Sequence, residues 1–402
     1  MRNLELYVHI PFCFKKCEYC DFLSFACDEK TQLAYADALI REIEFYGLRM
    51  QGYEVSTIFV GGGTPTWLNE DKMVEILDTI YTYFNVSSDA EITMECNPGT
   101  VTMTKLEKYR RAGVNRLSIG LQSADDEELQ ILGRIHTFEK FVKTYEMARN
   151  AGFANINVDL ISGIPYQTAE KFLHTLQKVV RLRPNHISAY SLIIEKGTPF
   201  YEKYKFDVVL QEAGKQPEVL PTEDEVYRIT KLTQQYLAQA GYEQYEISNF
   251  AHAGFECSHN IGYWTRENYI GLGLGAASLL NNVRYTNETE LETYITATES
   301  IQPLAFEQPD GHIEYGTNLH VAVDAVSRKA QMEEFMFLGL RMNRGVTRQQ
   351  FENAFGIPID AIYKNALECL KQEGLIDTSA GHIALTEKGQ DLSNYALAQF
   401  LL

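Results

Sequence analysis

The chain has 402 residues, 45% of them apolar, enough for one large domain and a smaller one, and no apolar run is long enough to cross a membrane as a helix. Its 36 basic and 54 acidic residues leave a net charge of −18, which argues against a nucleic-acid partner, because phosphate binding needs a basic surface. Seven cysteines, three of them clustered, and the absence of a signal-peptide core lead to the expectation of a reducing, cytoplasmic setting.

In chain order, residues 4–195 alternate short apolar strands with amphipathic helical stretches. Strands are predicted at 4–10, 56–60, 91–95, 116–120, 155–160 and 186–192. Helices are predicted at 31–46, 71–83, 104–112, 138–150 and 169–182. Six βα repeats with short loops imply a parallel sheet backed by helices. Six are too few for a closed eight-fold barrel, so an α/β fold with a partial (β/α)6 barrel is expected. Chemistry in such folds gathers at the C-terminal ends of the strands.

The first strand runs into Cys13-Phe14-Lys15-Lys16-Cys17-Glu18-Tyr19-Cys20. Three thiols spaced CxxxCxxC can turn toward one centre from a single loop. A structural zinc site wants four ligands, and an ordinary [4Fe–4S] site also takes four thiolates. Phe22 stands where a fourth clustered cysteine would be, so three thiolates on a cubane would leave one iron open. The competing readings are three plain reduced cysteines, or a zinc knot completed by Cys27 or a distant histidine.

After the second strand comes Gly61-Gly62-Gly63-Thr64-Pro65-Thr66, a tight turn that can bring backbone N–H and C=O groups up to a ligand. The third strand ends at Glu95-Cys96-Asn97-Pro98, with Pro98 as the stop. The fourth leads to Gln122 and then to Leu132-Gly133-Arg134. Asp159 sits in the otherwise apolar fifth strand, where burial without a partner is costly, so Arg134 or a ligand hydroxyl is the expected partner. The sixth leads to Tyr190-Ser191-Leu192-Ile193.

Residues 196–222 read as a long surface connection punctuated by Gly197, Pro199, Gly214, Pro217 and Pro221. A helix over 223–240 and a further strand over 242–250 are predicted. Then Cys257-Ser258-His259-Asn260-Ile261-Gly262-Tyr263-Trp264 sets an imidazole beside aromatic faces. Such a histidine is either a haem-iron ligand with a hydrophobic wall or a hydrogen-bonded core residue. The glycine-rich run 269–276 lacks the preceding strand and acidic partner of a dinucleotide site, so close backbone packing beside a cofactor is expected. A helix at 291–300 leads into a polar, irregular segment; residues 301–328 are expected to be an insertion, with His312 and His320 exposed. A core helix at 335–342, helices at 347–355 and 360–373, and a paired 375–377 and 382–385 predict a small, mostly helical, winged-helix-like domain. The expected units are 1–222, 223–328 and 329–402.

With the CxxxCxxC loop following Tyr7-Val8-His9-Ile10-Pro11-Phe12, the chain resembles the radical S-adenosylmethionine (SAM) superfamily, and within it the coproporphyrinogen dehydrogenase-like family. The resemblance covers nearly the whole chain. It implies that Cys13, Cys17 and Cys20 hold a [4Fe–4S] cluster whose open iron is chelated by SAM. It also implies SAM contacts from Tyr7, Tyr19, Gly62, Gly63, Thr64, Glu95, Gln122, Arg134 and Asp159, with Ile193 set against the adenine by its position. The HNxxYW string at 259–264 resembles the signature of the haem-chaperone (HemW) branch and implies haem contacts from His259, Asn260, Tyr263 and Trp264. The expected role is holding haem and delivering it to acceptor haemoproteins, with an electron donor as a further partner and a homodimer as one assembly. The alternative is an oxygen-independent coproporphyrinogen III oxidase, which decarboxylates two propionates, or another radical SAM tetrapyrrole enzyme. Family members of the oxidase kind carry CxxxCxxCxC and a longer segment before the cluster. Here Phe22 replaces the further cysteine and Tyr7 is almost at the start, which favours the carrier.

Overall fold

The computed structural model describes residues 1–307 and 313–402. It begins with β1 (Arg2–Ile10), α1 (Glu29–Gly47), β2 (Tyr53–Gly62), α2 (Glu70–Tyr83), β3 (Val86–Cys96) and α3 (Met103–Arg111). The series continues through β4 (Arg116–Gln122), α4 (Asp126–Ile131), α5 (Phe138–Asn150), β5 (Asn155–Ser162), α6 (Ala169–Arg181) and β6 (His186–Ser191). Asp28, Thr102, Thr137 and Thr168 each accept a first-turn backbone N–H, which fixes where α1, α3, α5 and α6 start.

Strands β1 to β6 are parallel neighbours in chain order. Leu4, Leu6, Val8 and Ile10 of β1 are fully buried and share one core with Leu39 and Ile43 of α1 and Ile76 of α2. The alternate residues Glu5, Tyr7 and His9 face the other way, as the period of a strand requires. Ile58 and Val60 against Thr57 and Phe59 repeat the division in β2. The sheet thus has an apolar outside under helices and a polar, aromatic inside, as a barrel wall does. Among the described residues the outermost strands of this sheet do not pair with each other, and the six parallel strands at its centre are flanked by further strands on both sides, most of them antiparallel.

The second half corrects four expectations. Residues 199–212 are not a surface connection but helix α7 (Pro199–Glu212). Thr198 caps it, and Pro199 sits at the first helical position, where its missing N–H costs nothing. After α8 (Glu223–Gln239), the single strand expected over 242–250 is two short ones, β7 (Glu243–Gln244) and β8 (Asn249–Ala251), paired antiparallel. The chain continues through α9 (Ser258–Thr265), β9 (Tyr269–Leu272), β10 (Ala277–Leu280), β11 (Val283–Asn287) and α10 (Leu291–Thr298). The segment expected to be irregular then forms a hairpin, β12 (Pro303–Glu307) with β13 (Ile313–Thr317), and β14 (His320–Ala325), which joins the main sheet through β11. His320 is buried, not exposed, with Nε2 2.8 Å from Tyr46 Oη. His312 lies outside the described residues.

The C-terminal unit holds α11 (Arg328–Gly339), β15 (Val346–Thr347), α12 (Arg348–Phe355), α13 (Ile359–Gln372), β16 (Ile376–Asp377), β17 (His382–Leu385), α14 (Glu387–Asp391) and α15 (Ser393–Ala398). Met336, Phe351, Leu370, Ile383 and Phe400 form its own core. Glu334 of α11 ties it to the sheet side, accepting from Arg266 at 2.9 Å and Arg284 at 2.8 Å. Among the described residues no helix is long and apolar enough to cross a membrane.

Candidate functional site

Past β1 the cysteine loop is pinned by Cys13 N–H donating to the Phe25 carbonyl at 3.0 Å and Cys20 N–H to the Cys17 carbonyl at 3.2 Å. All three thiols are free and half-buried, and each has a different polar neighbour. Thr64 Oγ1 donates to Cys13 Sγ at 3.5 Å, Arg134 Nη1 to Cys17 Sγ at 3.5 Å, and Ser24 Oγ lies 3.9 Å from Cys20 Sγ. Burial raises the Cys13 and Cys20 thiols above their ordinary range. Ligation needs thiolates, and these donors answer the charge that forms on sulfur. Cys17, Thr64, Asn97 and Arg134 share a small cavity of about 40 Å³. This donor set fits a thiolate-held cluster. Among the described residues no three acidic, histidine or cysteine side chains converge on one metal-ion position, and ligands to three separate irons need not do so.

The glycine turn presses against that loop. Gly62 sits at φ +111, and a Cβ there would lie 2.5 Å from the His9 ring; one on Gly63 would lie 2.8 Å from the Phe12 carbonyl. Gly62 N–H donates to Glu95 Oε2 at 3.1 Å, which brings β2 and β3 ends together. Burial, with Asp159 adding repulsion, pushes Glu95 up to about 8. Tyr7 Oη lies 3.0 Å from His9 Nδ1. Tyr19 packs edge-on against Phe200, with ring centroids 6.3 Å apart. Gln122 holds φ +73 where the β4–β5 register shifts, a strained position of the kind that aims functional side chains.

Arg134 is not the partner of Asp159. Its guanidinium donates to Asn97 Oδ1 at 2.7 Å and the Gly120 carbonyl at 2.8 Å, as well as to Cys17. Asp159 instead accepts from Ser118 Oγ and Asn157 Nδ2, both at 2.8 Å. Those polar side chains satisfy it, and the arginine serves the cluster loop instead. Sequence reasoning passed over Asn97, which donates to Thr64 Oγ1 at 2.7 Å and so links Thr64 with Arg134. Its signal was its place two residues beyond Glu95, at the strand end. Ile193 stands in solvent at 69% exposure.

The inward side chains form cross-strand rows. Nearest the cysteine loop, His9 lies opposite Gly61, and Glu95 opposite Ser118. Next come Tyr7, Phe59, Thr93 and Arg116, each opposite its neighbour. Farthest are Glu5, Thr57 and Glu91. Four residues of strand separate His9 from Glu5, about 13 Å.

Helix α9 packs into the two farther rows. His259 is 1% exposed, with Nδ1 2.7 Å from Thr57 Oγ1 and Nε2 3.0 Å from Tyr263 Oη. Its ring stacks on Phe59 at 5.2 Å, Phe59 stacks on Tyr7 at 6.3 Å, and Tyr263 meets Tyr269 edge-on at 4.7 Å. Burial, with Arg116 adding repulsion, holds the imidazole down to about 3, so it is neutral. These five rings, on β1, β2, α9 and β9, make a continuous aromatic layer over that part of the interior.

Beyond the layer lies a cleft of about 870 Å³ between the N-terminal ends of β1–β3, α9 and the C-terminal unit. Its wall includes Glu5, Glu91, Ile261, Trp264, Phe335 and Met342. Of the four residues expected at haem, Trp264 alone is on this wall; His259 and Tyr263 belong to the layer behind it, and Asn260 is off it. A Cβ on Gly262 would fall inside the Glu5 carboxylate, so only glycine lets α9 lie this close. Glu5 is buried and pushed up to about 9 by desolvation, with Glu267 and Glu91 adding repulsion. Its Oε2 has no hydrogen-bond partner among the described residues.

Two family models match the chain: the radical SAM superfamily over residues 7–179 and the HemN C-terminal domain over residues 326–392. The heme chaperone HemW of Bacillus subtilis (strain 168) is 35% identical over 396 residues, covering 98% of this chain and 98% of that protein. This chain belongs to the HemW family. The heme chaperone HemW of Escherichia coli (strain K12) is 36% identical over 399 residues, covering 99% of this chain and 98% of the relative. A solved structure of a second kind, the coproporphyrinogen III oxidase HemN of Escherichia coli, superposes with a TM-score of 0.80 at 25% identity, covering 100% of this chain and 90% of that one. The likeness to HemW therefore runs through the cysteine loop, the cleft and the C-terminal unit alike.

Proposed function

We propose that this chain is a haem chaperone that holds haem in the cleft beside α9 and passes it to acceptor haemoproteins. The observation that carries the reading is the position of the cleft. It is a large, partly apolar space, in the upper part of the ~300–1,000 Å³ that ligand sites occupy. The layer from Tyr7 to Tyr269 separates it from the cysteine loop. A ligand there is held away from the SAM motifs, which suits a carrier better than an enzyme that must bring substrate to a radical. In this reading Trp264 and Ile261 face the macrocycle, while His259 and Tyr263 hold α9 in place.

At the other end, Cys13, Cys17 and Cys20 hold a [4Fe–4S] cluster, and Gly62, Gly63, Thr64, Glu95, Gln122, Arg134 and Asp159 surround SAM. When bound, that pair supplies one-electron reductive chemistry. Arg134 and Thr64 stabilise sulfur charge, Asn97 orients both, and the buried Glu95 is positioned to meet a cationic ligand group. The reading extends to an electron donor as a partner, to a homodimer and to a cytoplasmic setting. The likeness to HemN favours a second reading, oxidative decarboxylation of coproporphyrinogen III; Phe22 in place of a further cysteine weighs against it.

The cleft assignment is tested with Ala354→Trp, which puts a large ring onto an exposed position of the wall. Haem affinity is expected to fall at least about tenfold, as a filled pocket loses its ligand contacts, with iron content and SAM binding retained. Unchanged haem affinity would remove the cleft as the haem site.

A further inference from the structure

The cleft wall is unevenly charged. Asp89, Glu91 and Glu267 line it, and Arg344 is the one cationic side chain among the described lining residues. Arg344 is exposed and has no ion pair or hydrogen bond through its side chain among the described residues, whereas nearby Arg266 and Arg284 are both taken by Glu334. Behind this wall, Glu5 Oε2 and Trp264 Nε1 are buried without a hydrogen-bond partner among the described residues.

We propose that the cleft selects a porphyrin carrying two carboxylates on one edge, with Arg344 as their partner, and rejects porphyrins carrying four. This deepens, and rests on, the haem-carrier reading. A porphyrin is a flat apolar disc with its carboxylates at the rim. Two adjacent propionates can meet one guanidinium in a charge-assisted, forked contact. The rest of the disc then lies against Trp264, Ile261 and Phe335. Four carboxylates are spread around the disc, so the edge opposite Arg344 would meet Asp89, Glu91 and Glu267. Like charges brought together at a binding surface oppose association, and the overall charge of −18 adds to that. The same asymmetry bars the tetracarboxylate substrate of the oxidase reading.

The test measures dissociation constants of the cluster-loaded, full-length chain, followed at the Soret band. The probes are iron protoporphyrin IX, its dimethyl ester and iron coproporphyrin III. Iron protoporphyrin IX is expected to bind at least about tenfold more tightly than iron coproporphyrin III. Arg344→Gln, at an exposed site, is expected to weaken iron protoporphyrin IX several-fold and to leave the dimethyl ester unchanged. Glu267→Gln is expected to narrow the gap to iron coproporphyrin III. Equal affinity for the two free acids, or an Arg344→Gln effect that is the same for the ester, overturns the selectivity and leaves the carrier reading standing. Absence of binding by all three overturns both.

Discussion

Replacing His259 with leucine tests the aromatic layer directly. The ring is 1% exposed and both nitrogens are engaged, with Thr57 at 2.7 Å and Tyr263 at 3.0 Å. Leucine fills much of the volume, so the cavity contribution is small. The two hydroxyls left without a partner cost about 1–3 kcal/mol each, and a loss of about 2–5 kcal/mol at neutral pH is expected. The pH dependence is the sharper signal. The imidazole is held down to about 3 in the fold, chiefly by burial, against about 6.5 in the unfolded chain. Below pH 6.5 the unfolded chain therefore takes up a proton that the native state refuses. The stability contributed by His259 is complete above that pH and is lost as pH falls toward 3. The slope is about 1.4 kcal/mol per pH unit, or about 2 kcal/mol by pH 5. The leucine variant lacks this slope, so the gap between the two proteins should narrow by that amount between pH 7 and pH 5 in urea unfolding. A constant gap would refute the buried, neutral histidine. A change in the Soret position of the haem complex would instead make His259 an iron ligand.

Three further outcomes are expected. Cys17→Ser, reconstituted anaerobically, should lose most of its iron and visible absorbance while Cys27→Ser keeps both; equal iron in the two would refute the ligand set. Gly62→Ala should cost about 1–3 kcal/mol and abolish SAM retention in equilibrium dialysis, because alanine is strained at φ +111 and its methyl meets the His9 ring. Alanine in a helix normally gains about 1 kcal/mol over glycine. Gly262→Ala should nevertheless lower the melting temperature by displacing Glu5, and a raised value would contradict the packing of α9.

Apart from the short α4, which no prediction covered, the strands and helices of the first half were legible because their apolar residues recur at strand and helix periods and their ends carry caps such as Thr137 and Thr168. Helix α7 was hidden by the glycines and prolines around it, although Thr198-Pro199 is itself a helix-start signal. The cysteine loop was legible because its chemistry is local. The cleft was not, because it is assembled from distant positions. The inward residues Glu5, Thr57 and Glu91 each look like an ordinary polar interruption until the register sets them in one row. For the same reason the HNxxYW string suggested a ligand at His259, when tertiary packing turns that ring into the core and exposes Trp264 to the cleft.

The most direct test of the carrier account is an anaerobic titration of the cluster-reconstituted chain with haem, followed at the Soret band. Coproporphyrinogen III with SAM and reductant is assayed in parallel. Saturable one-to-one haem binding with no CO2 released from coproporphyrinogen III is the predicted result. Release of CO2 without haem binding would contradict the account and make the chain a decarboxylase.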